Sequence, residues 1–150
     1  MALNMHQHGV ERSLVLNLRE KFPNARIDVI FDGYKMPDDR PLITIEPLIF
    51  TNDLRIKQRD AVDVTYHYQV GLHDENSVQL SINQERLQNV FNFDTFTYFD
   101  TLKDPIQATG SFLCKLNDIT PMLSDEISRE TEHHRVYFDV EIITTKRRCV

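Results

Sequence analysis

Glycine occurs four times in this 150-residue chain and cysteine twice, and no long uninterrupted apolar run is present. So few glycines leave no Gly-rich loop of the kind that cradles phosphates. Cys114 and Cys149 are too few for a disulfide framework or a zinc site and read as reduced thiols. No stretch approaches the roughly 20 apolar residues of a transmembrane helix, so no membrane partner is expected. Met1 to Gly9 holds neither Lys nor Arg and no apolar segment of signal-peptide length, which leads us to expect a chain that stays in the cytosol where it is made. A basic arm is missing too. The net charge is −6, divided evenly as −3 in residues 1–75 and −3 in residues 76–150, and the pI is near 5.4. Affinity for a nucleic-acid backbone comes largely from cations that neutralise phosphates, so sequence-specific nucleic-acid binding is not expected.

Catalytic motifs are missing as well. There is no Glu-x-Lys or Gln-x-Lys of a metal-dependent nuclease, no Gly-x-Ser-x-Gly elbow and no His-Glu-x-x-His. Cys114, between Phe112 and Leu116, reads as core and not as a nucleophile. His6 and His8 form an H-x-H in a terminus expected to fray. His133 and His134 begin a strand, where successive side chains point to opposite faces and cannot share an ion. His67 is the most plausible lone catalytic histidine, and a small metal-dependent enzyme using it with Asp63 or Asp32 is the alternative from another functional class.

What is present is a core. Hydrophobic residues make up 41% of the chain, too many for disorder. The length suits one domain, residues 1–150, with 1–8 as a flexible tail. Val10, Leu14, Leu18 and Phe22 recur at helical spacing until Pro23, with Arg12, Asn17, Arg19, Glu20 and Lys21 on the other faces. Ile27 to Phe31 alternates as a strand and meets an Asp32-Gly33 turn. A loop through Pro37 and Pro41 leads to a strand from Leu42 to Glu46, and Pro47 marks a sheet edge, a bulge or the end of pairing. Thr51 to Asp60 reads as an extended excursion or a solvated hairpin tip. Val62, Val64, Tyr66, Tyr68, Val70 and Leu72 then occupy every second position, the pattern of a long strand with one buried and one wet face. His73 to Asn76 breaks it. A helix follows from Ser77 to Asn92, with Leu80, Leu87, Val90 and Phe91 on one face and Asn76 and Gln79 placed to cap it. Strands are expected at Phe96–Phe99, Ser111–Leu116 and Val136–Ile143, with a turn at Asp104-Pro105 and a charged connection from Pro121 to Glu132. The aromatic group Phe91, Phe93, Phe96, Tyr98 and Phe99 lacks cationic neighbours for base stacking and reads as a packed helix–strand junction. The order α, three strands, α, three strands gives an α+β fold, two helices on a mostly antiparallel sheet.

That order resembles the tail terminator, or tail completion, proteins of long-tailed bacteriophages and prophages. The resemblance spans about residues 9 to 145. It rests on the N-terminal helix ending near Phe22, the strand Ile27–Phe31, the Pro-containing loop and strand Arg40–Ile45, the charged excursion, the tyrosine-rich strand Val62–Val70, and the closing strand Val136–Ile142. It implies a structural protein without cofactor, metal or catalytic residue. It also implies a self-assembled ring, usually a hexamer, that caps the tail-tube protein, stops its polymerisation and offers a surface to the head-side connector protein. Such a chain would occupy the virion tail and, during assembly, the host cytoplasm. A head-closure or head–tail joining protein is the near alternative.

Contact residues follow from physics. A strand edge invites a neighbouring strand, and Val140, Ile142 and Ile143 lie in a final strand long enough to serve, with apolar side chains on both faces near its end. Arg55, Lys57 and Arg59 alternate in the charged excursion, placing three cations on one face of an extended arm.

Overall fold

The computed structural model describes residues 5–48, 50–54, 61–121 and 134–147. Within them the order is α1 (Gln7–Lys21), β1 (Arg26–Val29), β2 (Leu42–Pro47), β3 (Thr51–Leu54), β4 (Ala61–Asp74), α2 (Ser77–Phe93), β5 (Thr95–Asp100), β6 (Gln107–Leu113), β7 (Lys115–Pro121) and β8 (His134–Arg147). The fold is α+β. The main sheet runs β1-β2-β4-β8-β7, with β3 beside β2 on the same flank of β4, and only the β1–β2 pair is parallel.

The alternating segment becomes β4, which pairs with β8 from Ala61↔Arg147 to Asp74↔His134. Register stacks like with like on one face: Leu72 beside Val136 and Ile43, Val70 beside Phe138 and Ile45, Tyr68 beside Val140, Tyr66 beside Ile142. All of these are buried, and α1, α2 and β5 pack against that inner face. The opposite face carries His67, Gln69, Glu141 and Asp139, all only half-buried. The alternation weakens at one end. β4 does not break at His73 as the sequence predicts but runs on to Asp74, and Gly71, Leu72, His73 and Asp74 are all buried. Gly71 makes this possible, because a Cβ there would stand 2.6 Å from Thr44 Oγ1 and 3.0 Å from His73 Nε2. The bonding capacity of Asp74 is also met, by the Glu75 N–H at 2.9 Å and Asn83 Nδ2 at 2.7 Å.

Other expectations change as well. The 51–60 excursion begins as a strand, β3, paired with Val62–Thr65. Pro47 is the last residue of β2, one of the outcomes its place in the sequence allows, although the Leu48 N–H still donates to the His67 carbonyl of β4 at 2.8 Å. The single strand at 111–116 is two: β6 pairs with β5 in a separate hairpin, and after Cys114 the chain crosses to the main sheet as β7. Gln107 to Ser111 are small or polar and exposed, so no apolar alternation announces that strand. Phe31 lies past the end of β1 and is exposed, while the Asp32-Gly33 turn forms with Gly33 at φ +81°. The helix takes in Gln7 and His8, which the sequence places in a flexible tail, and Met5 is buried before it.

Asn17 is the main misplacement of the sequence reading. It is not on an outer face but buried against β5. Its Nδ2 donates to the Thr97 carbonyl at 2.8 Å and to the Ser13 carbonyl at 2.6 Å, and its Oδ1 accepts from the Thr97 N–H at 3.0 Å. Ser13 Oγ accepts from the Phe99 N–H at 2.8 Å. One turn earlier Gly9 leaves room for the Tyr98 hydroxyl, which accepts from the His6 N–H at 2.9 Å. Gly9, Ser13 and Asn17, spaced by four, thus turn one helix stripe into a partner for the otherwise open edge of β5.

The two central tyrosines contrast with Asn17. Tyr66 and Tyr68 are fully buried and pack against Phe50, with ring centroids 4.9 and 5.9 Å away, yet neither hydroxyl has a hydrogen-bond partner among the described residues. Burial, followed by the Glu11 carboxylate, pushes the Tyr68 phenol well above its ordinary range and keeps it protonated.

These contrasting sites generate opposite expectations for urea unfolding. Asn17→Ala strips β5 of two hydrogen bonds and should lower the unfolding free energy by about 2 kcal/mol. Tyr68→Phe removes a hydroxyl with no hydrogen-bond partner among the described residues and should leave stability unchanged or raise it by up to about 1 kcal/mol. A clear loss in Tyr68→Phe would mean that the phenol has a partner after all.

Candidate functional site

The wet face of the main sheet is where acid–base chemistry would have to be built. His67 Nδ1 lies 3.6 Å from Glu141 Oε1, directly across the β4–β8 ladder. Two positions further along β4, Gln69 faces Asp139, and Asp63 accepts a 2.7 Å bond from Thr145 Oγ1. The His67–Glu141 and Asp63–Thr145 contacts are cross-strand ties of the kind that hold a register. His67 and Asp63 share a face but stand four strand residues apart, about 13 Å, beyond hydrogen-bond reach. Asp32 is exposed in the turn after β1, at the far edge of the sheet beyond β2. The structure therefore does not bring His67 together with either carboxylate. Among the described residues no group of three or more His, Cys, Asp or Glu is placed to hold a metal ion. His8 Nδ1 meets Thr101 Oγ1 at 3.0 Å, His6 precedes α1 as its N-cap residue, and His134 opens β8 opposite Asp74. His133 lies outside the described residues.

The predicted contact residues divide. Arg55, Lys57 and Arg59 lie outside the described residues. Val140 and Ile142 are fully buried on the inner face, and β8 is an interior strand flanked by β4 and β7, so neither side chain can meet a partner. Strand order is a tertiary property that the local pattern does not carry, which is why the last strand reads as an edge. Ile143, on the opposite face, is 53% exposed. β7 covers β8 only from Val136 to Glu141, so beyond that point the β7-side flank of β8 has no strand on it among the described residues.

There an open, largely apolar groove of about 640 Å³ follows the crossing from β6 to β7, lined by Met5, Phe112, Leu113, Cys114, Leu116 and Ile143. Leu113 is strongly exposed beside it, and Phe93, at the end of α2, is 79% exposed. Apart from Phe93, the aromatic junction is packed as expected: Phe91 stacks parallel to Phe96 at 5.9 Å, and Tyr98 is buried. Burial raises the pKa of the half-buried Cys114 thiol far above its ordinary value, which favours the protonated form.

An open cleft of about 610 Å³ beside His67 is lined by Pro47, Leu48, Thr51, His67 and Asp139, and two polar clefts border α1. One, of about 390 Å³, lies between the end of α1, the Arg40-Pro41 turn and the start of α2. Asn76 caps α2 there, its side chain accepting from the Gln79 N–H at 2.8 Å as predicted, and Arg86 stacks 4.8 Å over the Phe22 ring. The other, of about 370 Å³, lies between α1 and β1 and gathers Arg12, Arg19, Arg26 and Lys35. Tyr34 closes its side by donating to Asp28 Oδ2 at 3.0 Å, and burial together with that bond pushes its phenol up to about 12. Sequence reasoning missed this basic groove because its cations come from a helix, a strand and a loop. Their common address depends on α1 packing beside β1.

No helix among the described residues is long and apolar enough to cross a membrane. No protein-family model matches the sequence, and neither does any curated protein sequence.

The division within β8 is directly testable. Val140→Asp buries a charge between Tyr68 and Leu116 and should abolish cooperative folding, since an unpaired buried carboxylate costs several kcal/mol. Ile143→Asp, three residues on and on the other face, should unfold within about 1 kcal/mol of the parent. Circular dichroism melts distinguish them, and equal damage from both would place Ile143 in the core.

Proposed function

We propose that this chain is a structural virion protein of the tail-terminator type. Its subunits join head-to-tail in a closed ring, hexameric by the resemblance, that caps the tail tube, halts its growth and presents the joining surface for the head-side connector. Its work is done in the host cytoplasm during assembly and then in the virion tail, without cofactor or catalytic step.

The observation that carries this reading is the asymmetry of the main sheet. It ends in β1 on one side and β7 on the other, and neither outer edge is paired with another described strand. A ring requires two unlike surfaces on every subunit, joined by a contact that closes by rotation, whereas a two-fold dimer uses one surface twice. Two different strand ends supply that pair of unlike surfaces. The elements on which the resemblance rests recur in the same sequence, with one short strand added in the excursion before β4 and the strand expected at 111–116 divided into β6 and β7. The wet face is committed to cross-strand ties, which favours a structural role over the enzyme alternative.

Sedimentation equilibrium at micromolar concentration should give one discrete species of several subunits. The same protein should pellet with tail tubes in an amount that scales with tube ends and not with tube length. Binding to the connector in preference to tube ends would move the assignment to head closure. A strict monomer that ignores tube ends would overturn the reading altogether.

A further inference from the structure

We infer that the β1 edge of one copy receives the β7 edge of the next, so that the main sheets of neighbouring subunits run together through a contact between opposite charges. The inference rests on the ring-forming role proposed above and names the surfaces that make the ring.

The β1 edge is a receptor for a strand. The Arg26 N–H donates to the Pro41 carbonyl at 3.0 Å and the Ile30 N–H to the Ile45 carbonyl at 2.9 Å, so these alternate residues face β2. By the period-two geometry of a strand, Ile27 and Val29 turn their N–H and C=O groups the other way. No described backbone group pairs with them there. Above that edge lies the basic groove between α1 and β1. Arg26 is already engaged, its Nη1 2.6 Å from Asp39 Oδ2 and its Nε 3.1 Å from Asp28 Oδ2. Arg12, Arg19 and Lys35 have no ion-pair partner among the described residues. Three cations with no ion-pair partner among the described residues thus line the groove beside this strand edge, in a chain whose net charge is −6.

The β7 edge offers the complement. β7 pairs only with β8 among the described residues. Asp118 stands opposite Asp139 in that pairing, and neither carboxylate has a cation within salt-bridge distance among the described residues. Like charges directly across a ladder repel, and the repulsion is relieved when a cation arrives. At net charge −6, copies of this chain repel at long range, and a contact that brings opposite charges face to face lowers that barrier. In the groove Arg12, Arg19, Arg26 and Lys35 outnumber Asp28, and on the β7 side Asp118, Asp139 and Glu141 outnumber Lys115, so opposite net charges stand at the two ends of the sheet for a second copy approaching head-to-tail. An approach of like ends is opposed by the same charges.

A charge-exchange experiment decides the matter. In one variant Arg12, Arg19 and Lys35 are replaced by Glu, and in another Asp118 and Asp139 by Lys. Circular dichroism should show both folded. Alone, each should lose self-association by at least about tenfold at low ionic strength, with the difference from the parent shrinking as salt is raised. Mixed one to one, they should assemble again, since each then meets an oppositely charged edge. A chain carrying both sets of changes should assemble with itself. If the parent assembles and neither variant differs from it at any salt concentration, or if the mixture fails to recover, the β1–β7 contact is overturned while the ring reading stands. If the parent itself is monomeric, the ring reading fails first.

Discussion

The ladder between β4 and β8 is the constraint on which the rest of the molecule depends. Two strands of 14 residues pair end to end, and their register places the large apolar side chains of both strands, Tyr137 and Ile143 excepted, on one face. A shift of one residue would turn Tyr66, Tyr68, Phe138 and Val140 toward water together. The shorter strands add to an axis already set. β2 and β3 share one flank of β4 in succession, and β7 takes part of the outer flank of β8. Neither helix forms the axis. Both lie on the apolar face that the ladder creates.

The first helix has a second duty that its amphipathic pattern conceals. Its Val10, Leu14 and Leu18 stripe enters the core, while Gly9, Ser13 and Asn17 supply hydrogen bonds and space to the hairpin of β5 and β6. Two strands standing alone are marginal in water. Here the missing third strand is replaced by side chains of a helix, so the hairpin is held to the body by polar bonds along one edge and by Phe96 and Phe112 along its face.

Legibility in the sequence follows the range of the interactions. The β4 pattern, the Asn76 cap, the stop at Pro23 and the Asp32-Gly33 turn are encoded by neighbours within a few residues, and each is found where the sequence places it. The burial of Asn17 depends on Thr97, 80 residues away, and nothing near Asn17 announces it. The same holds for the interior position of β8 and for the basic groove. The sequence did carry one usable sign of surface: Ile143 follows Ile142 and breaks the alternation, and it is the exposed member of that pair. It carried another in the four-residue spacing of Gly9, Ser13 and Asn17, small or polar positions repeating beside an apolar stripe.

The crossing at Cys114 has a consequence for fidelity in folding. Residues 107–121 belong to two sheets with one residue between them, so the registers of the two sheets are mechanically locked. Sliding β7 by one position along β8 would turn Leu116 and Ile119 outward, and the same displacement would pull Phe112 out of the core on the far side of the crossing. An error that would be cheap in a lone edge strand is penalised twice. The short edge strand, the element most prone to mispairing, is therefore proofread by a hairpin to which it forms no hydrogen-bonded ladder.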